Sequence, residues 1–219
     1  LTPDHLTRYN SVEDYYITKF NIFDKQVESD FALINLDDKE FEKLYQRNEI
    51  KEKIKSEKIY LSTEAKGTVF VYKNNICIMK DLKKRIDEIE NFDENVDKVS
   101  EILMKTDELS LKGKHNLENM LFLIGSAKIL NISNEKISEF LKSTVALEHR
   151  LENFFIKGNT TFINDSKGTN VESTLKAIDS FDNSIIMILG GDDKKIDNMP
   201  LIERVKEKVD FVYLIGDNV

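Results

Sequence analysis

The apolar positions of this chain switch between two spacings, one helical and one extended. Residues 11–24 place Val12, Tyr15, Tyr16, Phe20 and Phe23 at steps of three and four, which predicts a helix. Residues 31–36 form an apolar run ending in Asp37-Asp38 and read as a strand. A short helix is expected over 41–45 and a short strand over 59–61. Two further runs, 69–72 and 76–79, flank Asn74-Asn75, a hairpin signal. Residues 80–106 are crowded with lysine and acid, and their pattern leaves a surface helix and a mobile loop equally open. From 116 to 130 the text is apolar on more than one face, as in a buried helix. Ser133 then reads as an N-cap, with Glu135 in the first turn and a stripe of Ile137, Phe140 and Leu141.

A second block begins near Ala146. Residues 151–156 and 160–163 read as strands joined by Lys157-Gly158-Asn159. Val171, Leu175 and Ile178 mark a helix, and 185–189 is a continuous apolar run in the style of a central parallel strand. Ile202, Val205 and Val209 mark another helix, and 211–215 another buried strand. The class is therefore α/β, with strand, helix, strand, helix, strand in the second block forming a Rossmann-like unit. Two domains are expected, residues 1–146 and 147–219.

Composition narrows the function classes. Of 219 residues, 40% are hydrophobic and 33% charged, enough apolar material for a core. The formal net charge of −8 argues against nucleic acid as a partner, while leaving room for a local phosphate pocket. Cys77 is the single cysteine, so no intrachain disulfide or cysteine-rich zinc site is possible, and it reads as a small apolar strand residue. A single cysteine fits a reducing cytoplasm, and no apolar run approaches the roughly 18 residues of a membrane span, so membrane insertion is not expected. Leu1 is not an initiator methionine and the chain stops at Val219, just after the apolar run 211–215, so both ends read as cut.

Five polar clusters carry the candidate chemistry. In LTPDHLTRY, residues 1–9, His5 beside Asp4 suits a metal or an oriented base, with a capped helix start as the plain alternative. Lys19 lies on the helix that follows and by itself reads as a solvated lysine. In LKGKHNLEN, residues 111–119, Asn116 and Asn119 share a helix face beside His115 and can read a base edge. N-capping by Asn116 is the alternative there. In LEHRLE, residues 147–152, Arg150 can fork onto phosphate or ribose oxygens, or pair with Glu148 or Glu152. In FINDSKGTN, residues 162–170, Asp165, Ser166, Lys167 and Thr169 crowd the carboxyl end of a strand, where α/β sheets bind ligands and helix amides favour anions. An ordinary capped turn is the alternative. In LGGDDKK, residues 189–195, Gly190-Gly191 lets a backbone come close and Lys194 can meet an anion. No G-x-x-x-x-G-K-[ST] string occurs in the chain.

Taken in order, these clusters resemble the Mur ligase family. LTPDHLTRY is similar to its D-H-x-D segment, with Thr7 where many members carry aspartate. LKGKHNLEN resembles L-x-G-x-H-N-x-x-N, LEHRLE resembles H-R-x-E, and LGGDDKK resembles a G-G-x-x-K turn. FINDSKGTN is similar to the N-D-S-K-x-T-N segment of D-glutamate-adding members, whereas sister ligases typically carry a D-Y-A-H type there. The resemblance implies that residues 1–146 are the back of a central ATP-binding domain and 147–219 the front of a Rossmann-like C-terminal domain. It implies ATP-dependent addition of D-glutamate to UDP-N-acetylmuramoyl-L-alanine through an acyl phosphate, in a cytoplasmic, monomeric enzyme of peptidoglycan precursor synthesis. It further implies that His5 and Lys19, the latter as a carbamate, hold Mg2+. Carbamylation requires the neutral amine and gives two hard oxygens. His115, Asn116, Asn119, Arg150 and Asp165 would meet the nucleotide; Lys167, Thr169 and Lys194 would meet D-glutamate or the transferred phosphate. Without a phosphate loop, the 219 residues alone are expected to be inactive. A folylpolyglutamate-type or other Mur-type ligase is the neighbouring alternative, and a non-catalytic nucleotide-binding module is the alternative from another class.

Overall fold

A computed structural model describes residues 1, 8–145, 147–191 and 197–216. The chain divides into two compact units, Leu1 with Ile17–Val145 and Thr2–Tyr16 with Ala146–Val219. Helix α1 spans Val12–Lys19 and runs on as a 3-10 turn over Phe20–Phe23.

The first unit is built on a five-stranded sheet. Its strands, β1 (Phe31–Asn35), β2 (Glu57–Ser62), β3 (Val69–Tyr72), β4 (Asn75–Met79) and β5 (Ser100–Lys105), lie in sequence order. The first three are parallel; β4 and β5 each run antiparallel to their predecessor. Helices α2 (Lys39–Tyr45) and α3 (Asn48–Lys53) join β1 to β2. Asp38 sets the start of α2 by accepting the Phe41 amide proton at 2.9 Å. Alternation along β3 and β4 separates two cores. Val69, Ile76 and Ile78 face α5 (Lys114–Ile129) and α6 (Asn134–Ser143), while Phe70, Cys77 and Met79 pack with Ile86 and Val96. Both faces are covered, which is why β3 and β4 read as nearly continuous apolar text. Gly125 brings α5 down onto the sheet: a Cβ there would stand 2.9 Å from Leu33 Cδ2.

Several expectations shift in this unit. The hairpin turn is Lys73-Asn74, both left-handed at φ +46° and +64°, and Asn75 already pairs with Tyr72. Residues 80–106 are ordered as a 3-10 turn over Ile86–Glu88, helix α4 (Phe92–Val99) and β5. Isolated apolar anchors, Ile86 and Val96, fix that charged stretch, and they have no period of their own. Ser133 stands at the N-cap of α6 without a side-chain bond to the helix backbone; its hydroxyl instead bonds the Glu135 carboxylate in the first turn. Ile137 and Leu141 are buried, but Phe140 is half exposed.

In the second unit, β6 (Glu152–Lys157) and β7 (Thr160–Asn164) form an antiparallel hairpin. Helix α7 (Val171–Asp179) follows, then β8 (Ile185–Gly190), α8 (Met199–Lys208) and β9 (Val209–Ile215). The pair β8–β9 is parallel, so the last strand-helix-strand step of the expected five-element unit forms; its expected first strand, β7, pairs among the described residues with β6 in a separate sheet. The predicted burial of β8 and β9 does not hold. Ile188, Phe211 and Tyr213 are each more than 60% exposed. Among the described residues this sheet has two strands, α8 packs on β9 and α7 on α8, and no second layer covers the other face.

Candidate functional site

In the first unit, α5 presents the predicted base-reading residues. Gly113 is its N-cap, with φ +96° and ψ 148°, a region open essentially to glycine alone. Asn116 therefore lies inside the first turn rather than at the cap. Its Nδ2 donates back to the Lys112 carbonyl at 2.7 Å. The His115 ring lies beside Gly113, since a Cβ built there would stand 3.5 Å from its Cε1 and Nδ1. His115 and Asn116 are half-buried and Asn119 is exposed, so one helical turn displays three polar side chains.

Beyond β1 and β2, a carboxylate that the sequence reading passed over is firmly held. Asp37 accepts from Ser62 Oγ at 2.7 Å, the Thr63 amide at 2.6 Å and Thr63 Oγ1 at 2.8 Å. Burial works to raise its pKa; these three bonds, helped by the Lys66 charge, outweigh it and hold the carboxyl below the ordinary range. The signal was available: an Asp pair at the carboxyl ends of parallel strands, where such sheets bind ligands.

Lys19 is the exposed last residue of α1. His5 and Lys194 lie outside the described residues. Among those described, no group of three or more His, Cys, Asp or Glu is placed to hold a metal ion. A cavity of about 320 Å³ lined by Met79, Lys80, Leu82, Glu101, Lys128, Asn131, Ile132 and Ser133 contains none of the predicted site residues.

In the second unit the fold brings two predicted clusters together. His149 and Leu151 are both left-handed, at φ +65° and +47°. Each costs about 1–3 kcal/mol for a residue with a Cβ, so surrounding bonds must hold them. The His149 amide donates to Glu152 Oε2 at 2.8 Å, and the Leu151 amide to Asp165 Oδ1 at 3.0 Å. The Lys167 amide donates to the His149 carbonyl at 3.0 Å. Between these anchors Arg150 is exposed, and among the described residues it makes no ion pair, so the expected pairing with Glu148 or Glu152 is absent. Glu152 instead serves the turn. Lys167 and Thr169 are exposed just ahead of α7, whose N-cap Asn170 accepts from the Ser173 amide at 2.8 Å. Asp165 is half-buried. A guanidinium on a fixed backbone, two further polar side chains and a helix N-terminus suit an anionic ligand with several oxygens.

Glu152 and Asn164 are parts of this site that sequence reasoning did not select. Their offsets from His149 and Asp165 were visible, but the left-handed turn that joins them was not.

Among known proteins, the profile of the Mur ligase middle domain matches residues 1–127. The UDP-N-acetylmuramoylalanine--D-glutamate ligase of Fusobacterium nucleatum subsp. nucleatum is 43% identical over 214 residues, covering 98% of this chain and 43% of that protein. The like-named protein of Clostridioides difficile is 35% identical over 217 residues, covering 99% of this chain and 44% of its own length. The chain thus spans less than half the length of these relatives. A crystal structure of MurF from Acinetobacter baumannii superposes with a TM-score of 0.67 at 18% identity, over 99% of this chain and 45% of that one, a likeness of fold.

Proposed function

This chain belongs to the Mur ligase family, and from that membership we propose that it is part of an ATP-dependent ligase adding D-glutamate to UDP-N-acetylmuramoyl-L-alanine. The observation that carries the reading is the 43% identity to a D-glutamate ligase across 98% of the chain, both units included. The reaction is amide formation in peptidoglycan precursor synthesis. ATP phosphorylates the terminal alanine carboxylate, and the D-glutamate amine displaces phosphate from the acyl phosphate. Catalysis of this kind rests on positioning and charge neutralisation.

In this reading residues 1–146 belong to the central ATP-binding domain and 147–219 to the C-terminal domain. His115, Asn116 and Asn119 meet the adenine, and Arg150 with Asp165 the phosphates and ribose. Lys167, Thr169 and Lys194 hold D-glutamate or the transferred phosphate. His5 and Lys19, as a carbamate, belong to the Mg2+ end of the site, for which the described residues alone supply no ligand set. In this reading the setting is cytoplasmic, where peptidoglycan precursors are made. Among the described residues no helix is long and apolar enough to cross a membrane. With no phosphate-loop string in its 219 residues, the chain alone turns over no ATP.

The test is phosphate release by a protein of the relatives' length containing this chain. Release is expected only with both UDP-N-acetylmuramoyl-L-alanine and D-glutamate present. Incorporation of lysine, diaminopimelate or glutamyl-folate in place of D-glutamate would sink the assignment. Turnover by the 219 residues alone would refute their inactivity.

A further inference from the structure

The bonds around Arg150 form an ordered chain. Asn164 Oδ1 accepts the Ser166 amide proton at 3.1 Å, so the Asn164 amide cannot be flipped without setting donor against donor. Its Nδ2 therefore faces His149 Nδ1 at 2.7 Å and donates, which makes Nδ1 the unprotonated ring nitrogen. The second Nδ2 hydrogen is directed to Glu152 Oε2 at 3.4 Å, the same oxygen that accepts the His149 amide at 2.8 Å. Two side chains thus grip His149 at its ring and at its backbone, one residue before Arg150. Lys167 and Asp165 secure the backbone on either side through the His149 carbonyl and the Leu151 amide. All of this fixes the main chain of an arginine whose own side chain is exposed.

The geometry points to Glu152 and Asn164 as positioning residues that act through His149. They hold the left-handed turn so that Arg150 and Asp165 meet the nucleotide as a preset pair. The role rests on the nucleotide reading above. Neither residue touches the ligand itself. Both lower the ordering cost of binding by fixing Arg150 beforehand. The grip requires His149 Nδ1 to accept from Asn164, which puts the ring N–H on Nε2.

Nitrogen-15 NMR of the full 219-residue chain, with ADP as the probe, tests this. In the unsubstituted chain His149 should be the Nε2–H tautomer, and ADP should shift the Arg150 and Asp165 signals. Asn164→Asp keeps the Ser166 bond but turns an acceptor toward Nδ1, so it should place a proton there. Glu152→Ala should release the positive φ at His149 and Leu151 and weaken ADP binding about tenfold. Glu152→Gln, which retains an acceptor oxygen, should restore both, and circular dichroism will confirm that each variant folds. The proposal is overturned if both disruptive variants leave the tautomer, the φ values and the ADP response unchanged. It is also overturned if Glu152→Gln fares no better than Glu152→Ala. Absence of any ADP shift in the unsubstituted chain, with the tautomer and the φ values of the variants as stated, would support the grip and count against the nucleotide reading alone.

Discussion

The main-chain amide of Leu151 donates to Asp165 Oδ1 at 3.0 Å, across fourteen positions of sequence. This bond ties the left-handed turn before β6 to the end of β7. A hydrogen bond to an ionised group contributes about 1.5–3 kcal/mol, so Asp165→Ala should loosen the turn by that order. Asp165→Asn retains an acceptor and should loosen it less. Exchange of the Leu151 amide hydrogen reports the difference: faster in both variants, and much faster in the alanine one. Equal rates in Asp165→Ala and the unsubstituted chain would contradict the assignment.

Asp37 gives the first unit an acid-sensitive element. Its folded pKa lies below the ordinary 3.8 because the bonds from Ser62 and Thr63 outweigh burial. The sign follows from linkage: a lowered carboxyl stabilises the fold above the unfolded pKa and loses that contribution as pH falls through the folded one. Urea midpoints should therefore fall below about pH 4, and Asp37→Asn should flatten that part of the profile. Asp37→Ala leaves Ser62 and Thr63 without their acceptor and should cost about 1–3 kcal/mol at neutral pH.

Gly113 holds a backbone conformation that side chains do not tolerate. Gly113→Ala should destabilise the first unit by about 1–3 kcal/mol. Thermal melting should show the loss, and amide exchange should place it in the first turn of α5, around His115 and Asn116. A variant as stable as the parent would mean that the turn can be rebuilt without strain.

Cys77 should be chemically silent. It is buried between the two strands that flank β4, and burial pushes its thiol up to about 11, so almost no thiolate exists near pH 8. A disulfide reagent should label it only as the sheet unfolds. Rapid labelling of the native chain would require an opening of β4 that its pairing does not show.

What could be read from the sequence was what repeats or clusters locally. The apolar text around Met120, Leu121 and Ile124 announced α5, and two apolar runs flanking Asn74-Asn75 announced the central hairpin. Strand β5 escaped because Ser100–Lys105 carries charges at both ends and takes its burial from partners elsewhere in the chain. The apolar run of β8 promised a buried strand, but burial depends on layers that lie outside the strand's own residues, and Ile188 is 71% exposed. In the site, residue types were legible and joints were not. Asn116 looked like a cap because helix starts favour asparagine, yet Gly113 takes that position. Arg150 looked like one half of an ion pair, yet Glu152 is engaged by a backbone amide that only the left-handed turn at His149 brings within reach.

The Lys73-Asn74 turn has a further effect, on the order in which the chain assembles. It joins β3 to β4 through two residues, whereas β1 meets β2 across two helices and β4 meets β5 across α4. A loop that short closes with little entropy lost, and hairpins of this kind form in about 1–10 μs. The middle of the sheet can thus zip first and offer its edges to strands that arrive later. Replacing Asn74, whose φ is +64°, with a β-branched residue would strain that turn and should slow assembly of the first unit as well as weaken it.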